Sequence, residues 1–381
     1  MDLSELIMHM QQLTPQLAFT CCVVNGSIMT LKEIEDMGYE EFCYRSRINI
    51  PLKLYKYFPD KEVFDKMGNK VNYSNIALKN NTVYMQEPRL FDDIYDSDIN
   101  IDFYQYQKYR LMEYCRRCGL VIDDGKSTEE IGTELLKIII KSIENNNDFS
   151  HIFSTEGASQ IESLTNEIFK NKIIVGLENN KDIGQVVFKI MEQEYQDYVK
   201  ELKNTFRISC FAATPFSQLM WGGAYANCHH GFCIEYTVLP NDKKYKDIFY
   251  SLFPMVYCKT RPNITKKLVS WKDRDKTEEY LWDIYFNGTL RKSIDWVFQN
   301  EWRLLMPFKK KNDNDYNVEF FPITKVYLGN RMERERRKEI MDFCNDSNIP
   351  YVGVMKNSDV YEMQECSLKC EECFKYKSSQ N

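Results

Sequence analysis

The sequence predicts an α+β protein with a mixed, largely antiparallel sheet, flanking helices and a helical insertion. Short strand-like segments fall in two blocks, at residues 52–86 and 206–328. Between the blocks, residues 103–203 carry mostly helical periodicity. Strands and helices do not alternate in the regular way that a parallel βαβ fold requires, and this order is typical of an α+β arrangement with an insertion.

The first 50 residues are predicted to form a helical N-terminal extension with a short strand-like break. Apolar residues recur at helical spacing from Leu3 to Met10, and residues 31–45 are again polar and helical. The main domain, predicted over residues 51–360, opens with a strand from Leu52 to Phe58 in which apolar side chains alternate with lysines. A second short strand begins at Thr82 and is followed by an acidic loop over residues 91–98.

The helical insertion is predicted over residues 103–203. Ser127 and Glu130 have the spacing of a capping box, which predicts the start of a helix there. One face of this helix carries a first apolar stripe, formed by Ile131, Leu135, Ile138 and Ile139. Residues 183–191 carry a second apolar stripe at helical spacing. We interpret both stripes as core packing inside the insertion.

The region after the insertion returns to short strands separated by helices. Helices are predicted at about 216–225, 275–297 and 332–345. The strand candidates in this region are Phe206–Ala212, Gly231–Tyr236, Met255–Cys258, Glu301–Met306 and Thr324–Leu328. Residues 361–381 are predicted to be a polar tail that contains cysteines.

Charge and hydropathy narrow the class of protein. The chain has 50 Lys plus Arg against 56 Asp plus Glu, a net charge of -6, which argues against general nucleic-acid binding. Mean hydropathy is -0.51, and no apolar run approaches the ~18 residues of a membrane span. The start of the chain has no basic segment followed by an apolar one. We therefore expect a cytoplasmic protein with no membrane partner.

The 13 cysteines are expected to be reduced thiols, many of them packed as small hydrophobes. Cys366, Cys370 and Cys373 lie within eight residues of one another. With a fourth ligand such as Cys344 they are candidates for zinc. The favoured interpretation is incidental cysteines without a bound metal.

Two segments place polar and aromatic residues where packing alone explains them poorly. Residues 54–57 put Lys56 on a strand between Tyr55 and Tyr57. Residues 220–225 contain Trp221 and Tyr225 and lead into the strand that begins at Gly231. We take these four aromatic residues and the lysine as candidate ligand contacts.

The third such segment is residues 296–303. If it is a strand, the side chains of Gln299, Glu301 and Arg303 lie on one face. A carboxylate between an amide and a guanidinium is a candidate polar ligand site. The alternative interpretation is a buried or edge salt bridge, and the sequence leaves both open.

In order along the chain, these segments resemble a bacterial family catalogued as domain-of-unknown-function family 2971. The family pattern has Asn where this chain has Asp92, and Glu where it has Gln299. The resemblance implies the fold of residues 52–360 but little about function. The matching segments are residues 54–57, 83–93, 209–211, 220–236, 296–303 and 326–329.

Residues 299–301, Gln-Asn-Glu, also resemble the late Gln/Glu-x-Glu element of ADP-ribosyltransferase sites. The likeness implies Glu301 as the carboxylate that stabilises a ribosyl cation, and Gln299 as the group that holds the acceptor. Lys56 stands where those folds usually have Arg or His. NAD is the cofactor that this likeness implies.

The sequence favours a non-catalytic regulatory protein or a stress or phage-defence protein that acts through a protein partner. The alternative is an enzyme on a nucleotide-like ligand, by NAD-dependent ADP-ribosyl transfer or NAD cleavage. In that alternative Tyr55, Lys56 and Tyr57 contact nicotinamide or phosphate, and Trp221 or Tyr225 stacks on the ligand. An enzyme requires Lys56, Glu301 and Trp221 to line one cleft.

Overall fold

The computed structural model confirms a mixed α+β fold with largely antiparallel sheets. Its contacts divide the chain into two compact units. The first unit comprises residues 1–97, 204–260 and 290–381, and the second comprises residues 98–203 and 261–289. The structure describes residues 21–366 apart from 66, 99, 145–148, 151, 154–156, 164–180, 205, 262, 267–268, 270–284 and 308–315.

Sixteen strands lie within these described residues. In chain order they are β1 (Cys21–Val24), β2 (Ser27–Thr30), β3 (Lys53–Phe58), β4 (Val63–Phe64), β5 (Lys70–Val71), β6 (Thr82–Tyr84), β7 (Phe206–Ala212), β8 (Phe232–Thr237), β9 (Leu252–Pro254), β10 (Val256–Cys258), β11 (Arg291–Ser293), β12 (Glu301–Pro307), β13 (Asn317–Glu319), β14 (Ile323–Leu328), β15 (Tyr351–Lys356) and β16 (Met363–Glu365).

The main α-helices of the same residues are α1 (Leu31–Ile48), α2 (Tyr73–Asn80), α3 (Phe103–Arg117), α4 (Thr128–Glu144), α5 (Lys181–Asn204), α6 (Gln218–Gly222), α7 (Lys246–Tyr250) and α8 (Arg334–Asp346). Short 3₁₀ helices lie at Pro88–Leu90, Ala224–Ala226, Lys243–Tyr245 and Ile294–Gln299, and a π-helix lies at Tyr285–Thr289. The Thr30 capping box starts α1, and the predicted Ser127–Glu130 box precedes α4, where each residue bonds to the backbone of the other.

The principal sheet of the first unit has the strand order β16-β15-β14-β8-β3-β7-β12-β9. Neighbours are antiparallel except β14 and β15, which are parallel. A smaller sheet has the order β11-β10-β1-β2. The two blocks of strands that flank the predicted insertion therefore meet in one sheet, because β3 comes from the first block and its neighbours β7 and β8 come from the second.

The ladder of the principal sheet is nearly interrupted between β3 and β7. These two strands share one residue pair, Tyr55 with Ala212. On its other side, β3 pairs with β8 over six positions, and β7 pairs with β12 over seven. The edge of β7 beyond the shared pair is covered instead by Gln86, which exchanges two backbone bonds with Ile208. A gap therefore opens in the sheet around residues 209–211.

Both faces of the principal sheet are packed, and alternate residues of each strand contribute to opposite faces. One face carries the larger apolar cluster, in which Leu54, Ile234 and Leu304 are fully buried. The other face carries a smaller cluster around Tyr57, Trp221 and Tyr327. Because successive residues of one strand point to opposite faces, Lys56 lies on the face of Leu54 and Phe58, away from its neighbouring tyrosines.

Two glycines allow the backbone of the first unit to pack closely. A Cβ atom at Gly231 would lie 2.0 Å from the Phe58 carbonyl oxygen, and one at Gly329 would lie 2.1 Å from the His229 carbonyl oxygen. Any side chain at either position would displace the backbone at the start of β8 or the end of β14.

The second unit is helical in its described part. Helices α3, α4 and α5 bury an apolar core that includes Leu111, Ile131 and Val187. In the same unit Arg110 donates through Nε and Nη2 to Glu194 Oε2, at 3.1 and 2.9 Å. Tyr114 donates its hydroxyl to that oxygen at 2.8 Å. Both charged side chains are buried, so this pair belongs to the core of the unit.

The strand-like break and the helix predicted at residues 31–45 are present as β1, β2 and α1, and β1 joins a sheet with β10. The helix predicted from Leu3 to Met10 lies outside the described residues. One sequence-based expectation needs correction. The helix predicted over residues 275–297 is replaced, where described, by a π-helix, strand β11 and a 3₁₀ helix. Pairing of β11 with β10 decides this conformation, because tertiary context overrides local periodicity. The other predicted domain boundaries stay predictions.

Candidate functional site

A cavity of about 380 Å³ lies in the first unit at the gap between β3 and β7. This volume is near the lower end of the range for small-molecule sites, roughly 300–1,000 Å³. Its wall combines aromatic rings with charged and amide groups. The residues that line it include Tyr55, Lys56, Tyr57, Tyr84, Phe91, Asp92, Asp93, Asp96, Cys210, Met220, Tyr225, Lys292, Trp296, Gln299 and Glu301.

Lys56 reaches across the gap toward β7. Its ammonium donates to Ser209 Oγ and to the Cys210 carbonyl oxygen, each at 3.0 Å. The ammonium also lies 5.2 Å from the centre of the Phe211 ring. Among the described residues, no carboxylate forms an ion pair with Lys56. Burial lowers the pKa of Lys56, because removal from water disfavours the charged form.

Strand geometry explains why the Cys210 carbonyl is free for Lys56. Ile208 directs both its N–H and its C=O to Gln86, away from β12. Backbone groups of an antiparallel strand alternate in direction, so those of Cys210 point to the same side as those of Ile208. Because β3 has diverged from β7 there, a side chain takes the place of a backbone partner. Burial raises the pKa of the Cys210 thiol to about 12, so this cysteine stays protonated.

Four charged side chains form a closed cluster in one wall of the cavity, which we call the charge ring. Glu301 Oε1 pairs with Arg303 Nε at 2.6 Å, and Glu301 Oε2 pairs with Lys292 Nζ at 3.0 Å. Asp96 Oδ2 pairs with Arg303 Nη2 at 2.7 Å and with Lys292 Nζ at 3.0 Å. All four side chains are buried, and the ring has no net charge.

The charge ring holds its members in their charged forms. Arg303 and Lys292 lower the pKa of both Asp96 and Glu301 against the opposing effect of burial. The two carboxylates in turn raise the pKa of Lys292. The ring also has neutral supports, since Ser97 accepts from Arg303 and the Tyr257 hydroxyl accepts from the Glu301 N–H at 2.8 Å.

Gln299 connects the charge ring to Tyr225. Lys292 donates to Gln299 Oε1 at 2.8 Å, and Gln299 Nε2 donates to the Tyr225 hydroxyl at 2.5 Å. Gln299 ends a 3₁₀ helix rather than lying on β12, so the expectation of three polar residues on one strand face is corrected. Asn300, at φ 41°, turns the chain between them, a conformation that Asn tolerates better than most residues.

Most of the predicted site residues meet at this cavity. Tyr55, Lys56, Tyr57, Tyr225, Gln299 and Glu301 line it. Arg303 is fully buried behind the wall, where it holds the two carboxylates. The predicted role of Trp221 in stacking on a ligand is corrected, because its side chain is fully buried. Its indole N–H donates to the Pro215 carbonyl oxygen at 2.7 Å. The expected convergence therefore holds for Lys56 and Glu301 but not for Trp221.

Sequence reasoning missed Asp96 and Lys292. Asp96 was one of several acids in the loop over residues 91–98, and Lys292 lay in a stretch predicted as helix. Burial of both side chains is set by tertiary contacts that no local pattern carries.

The cysteine tail contributes little to the described structure. Cys366 is described and partly buried, whereas Cys370 and Cys373 lie outside the described residues. No group of three or more metal-binding side chains occurs in the part of the chain that the structure covers.

Within the described residues, none of the helices combines the length and the apolar character that a membrane crossing requires.

The decisive comparison concerns the segment that builds one side of the cavity. Residues 220–304 match the family model described as "Protein of unknown function (DUF2971)". The resemblance to this family is thereby confirmed. The DUF2971 match contains Tyr225, Lys292 and Gln299 to Arg303, so it includes most of the charge ring. No curated protein and no solved structure matches the chain.

Proposed function

We propose that the first unit binds a small nucleotide-like ligand in the cavity at the sheet gap. Lys56 carries this proposal, because it is a largely buried lysine without a carboxylate partner among the described residues. Its ammonium has three N–H donors, of which two are used by Ser209 and Cys210. The third is available to an anionic group such as a phosphate in the cavity.

The rest of the cavity suits the other parts of a nucleotide. Phe91, Tyr225 and Trp296 offer aromatic surfaces for a planar ring. Asp92 and Asp93 have carboxylates at the wall that can accept bonds from ribose hydroxyls. The charge ring is neutral as a unit, so its cations are already balanced by its carboxylates. Among the described residues no carboxylate pairs with Lys56, and its ammonium therefore supplies the cationic contact in the cavity.

The geometry favours ligand binding without catalysis over the alternative function, which is ADP-ribosyl transfer with Glu301 as the key carboxylate. A carboxylate stabilises a developing cation best when its own charge is not already balanced. Both oxygens of Glu301 accept from cations in the charge ring. We therefore assign Glu301 to the cavity wall, and we propose a ligand-binding regulatory protein in place of a transferase. Its bacterial, cytoplasmic setting and its defence or protein-partner role stay predictions.

The proposal is tested by ligand-dependent melting of the full chain with AMP, ADP, IMP, GMP, NAD, ADP-ribose and adenosine. A bound ligand stabilises the folded state by about 2.7 kcal/mol at 100 times its Kd. We expect at least one phosphate-bearing compound to raise the Tm by several degrees and adenosine to raise it less. Lys56→Met should abolish the difference between them, since Met keeps the stem and removes the cation.

Lys61→Met is the matched control, because Lys61 follows the same strand but is exposed. It should keep the wild-type response to every compound. If no compound raises the Tm at millimolar concentration, the proposal is wrong. If Lys56→Met retains the full response to a phosphate, Lys56 does not bind the anionic group.

A further inference from the structure

We infer that Tyr225 presents a fixed hydrogen-bond donor to the cavity and that the ligand's ring meets it with an oxygen acceptor, as a 6-oxopurine does. This inference rests on the proposed function and specifies the class of nucleotide. It follows from the directions of two hydrogen bonds, which leave the hydroxyl hydrogen of Tyr225 directed to the cavity.

The first step fixes the orientation of the Gln299 amide. A lysine ammonium donates hydrogen bonds and cannot accept them. The side-chain oxygen of Gln299 must therefore face Lys292, at 2.8 Å. The amide nitrogen then faces the Tyr225 hydroxyl, at 2.5 Å, and it can only donate. Gln299 is thus a positioning residue and not the group that holds an acceptor substrate.

The second step follows the hydroxyl hydrogen of Tyr225. Its oxygen accepts from Gln299, so its own hydrogen must point in another direction. No backbone or side-chain oxygen of the described residues accepts it. Tyr225 lines the cavity and is 38% exposed, so the hydrogen is directed to the cavity. Burial raises the pKa of Tyr225, which keeps the hydroxyl protonated at neutral pH.

The third step is the complementary chemistry of the ligand. Purines differ at position 6, where an oxo group accepts hydrogen bonds and an amino group donates them. An amino group that faces the Tyr225 donor would leave both groups unpaired, and unpaired polar groups in a partly buried site weaken binding. A 6-oxopurine satisfies the hydroxyl without any movement of Gln299.

The test compares IMP with AMP, which share ribose and phosphate and differ at position 6. By calorimetric titration of the full chain, IMP should bind about tenfold more tightly than AMP. Tyr225→Phe should weaken IMP about tenfold and leave AMP nearly unchanged, which removes the preference. Tyr73→Phe is the matched control, since Tyr73 belongs to the same unit, is 56% exposed and does not line the cavity. It should leave the preference intact.

Equal binding of IMP and AMP by the wild type, or a preference that survives Tyr225→Phe, overturns the inference. If neither nucleotide binds, the proposed function fails, and the donor geometry is tested without a ligand. For this, 3-fluorotyrosine is placed at position 225 and its pKa is followed by ¹⁹F NMR in the wild type and in Gln299→Ala.

The sign of the change decides the ligand-free test. Loss of an amide that donates to the Tyr225 oxygen should raise the pKa of that residue, because the donor favours the phenolate. Water that enters the space opened by Gln299→Ala acts in the opposite direction, so Gln299→Met, which removes the amide and keeps the space filled, is measured beside it. A fall or no change in Gln299→Met means that Tyr225 does not accept from Gln299, and the inference is overturned.

Discussion

The two units bury charge in different ways. In the second unit, one carboxylate oxygen of Glu194 receives three donors from α3, two from Arg110 and one from Tyr114. In the first unit, the charge ring shares each charge between two partners and lines a cavity. The first arrangement joins two helices within a core. The second assembles a loop and two strands around space that a ligand can fill.

This difference determines how much stability is lost when one charged side chain is removed. Removal of one charge from the ring leaves the opposite charges only partly balanced, because every member contacts both counterions. Removal of one partner from the helical pair affects a more local set of groups. We therefore expect the ring to be the more sensitive of the two, and the following substitutions test that order.

The largest effect is expected from Glu301→Gln. The change leaves Lys292 and Arg303 buried against one remaining carboxylate, and breaking a buried ion pair in this way costs about 3–5 kcal/mol. We expect the Tm of the first unit to fall by about 5 °C or more. Thermal unfolding followed by circular dichroism measures it.

Glu319→Gln is the matched control for that substitution. Glu319 pairs with Lys244 at the surface, and exposed pairs contribute about 0–1 kcal/mol. Its Tm should stay close to the wild-type value. An unchanged or raised Tm in Glu301→Gln would instead support the functional carboxylate that the sequence suggested, since functional groups are often held at a cost in stability.

A smaller effect is expected from Glu194→Gln in the second unit. The amide oxygen can still accept from Tyr114 and from one guanidinium N–H, but the charge of Arg110 loses the counterion that Glu194 provides. The expected loss is about 3 kcal/mol, at the lower end for buried pairs. Hydrogen exchange measured by mass spectrometry should become faster in α3. A loss greater than that of Glu301→Gln would reverse the order of the two units.

The smallest effect is expected from mild acidification of the wild type. Asp96 and Glu301 have folded-state pKa values below their ordinary values of 3.8 and 4.5. A carboxyl group of this kind stabilises the fold fully above its unfolded pKa, and the contribution is lost as pH falls through its folded pKa. The ring should therefore change stability little between pH 7 and about pH 5, with a decline only below about pH 4.5.

Chemical unfolding at a series of pH values checks this profile. The same titration on Glu301→Gln should show a weaker decline at low pH, because one of the two carboxyl groups has been removed. A stability that already falls steeply between about pH 7 and pH 6 would mean that the ring carboxyls are not held charged in the way that their contacts require.

The fold was largely predictable from the sequence because its signals are local. The strand Phe206–Ala212 and the helix start at Thr128 follow from alternation and from a capping box, which depend on neighbours in the chain. Strand β11 could not be predicted in this way. Its three residues are a strand because β10 lies beside them, a fact of tertiary structure.

The candidate site was predictable in its residues but not in its connections. Lys56, Tyr225 and Glu301 stand out as polar or aromatic residues within patterned segments, and the structure brings them to one cavity. Their roles depend on Lys292 and Asp96, which determine whether a carboxylate is balanced and which way an amide points. Trp221 was misassigned because its bulk and its sequence neighbours do not reveal that its indole faces the core.

The single residue pair between β3 and β7 has a mechanical consequence. The strand order is continuous, but the backbone joins two blocks, β16 to β3 and β7 to β9, at one position, Tyr55 with Ala212. Because few backbone hydrogen bonds join the two blocks, side-chain packing on both faces of the sheet must hold them together. The sheet therefore consists of two blocks of strands that a single residue pair joins. A molecule bound between the two blocks would contact both of them and couple their motions.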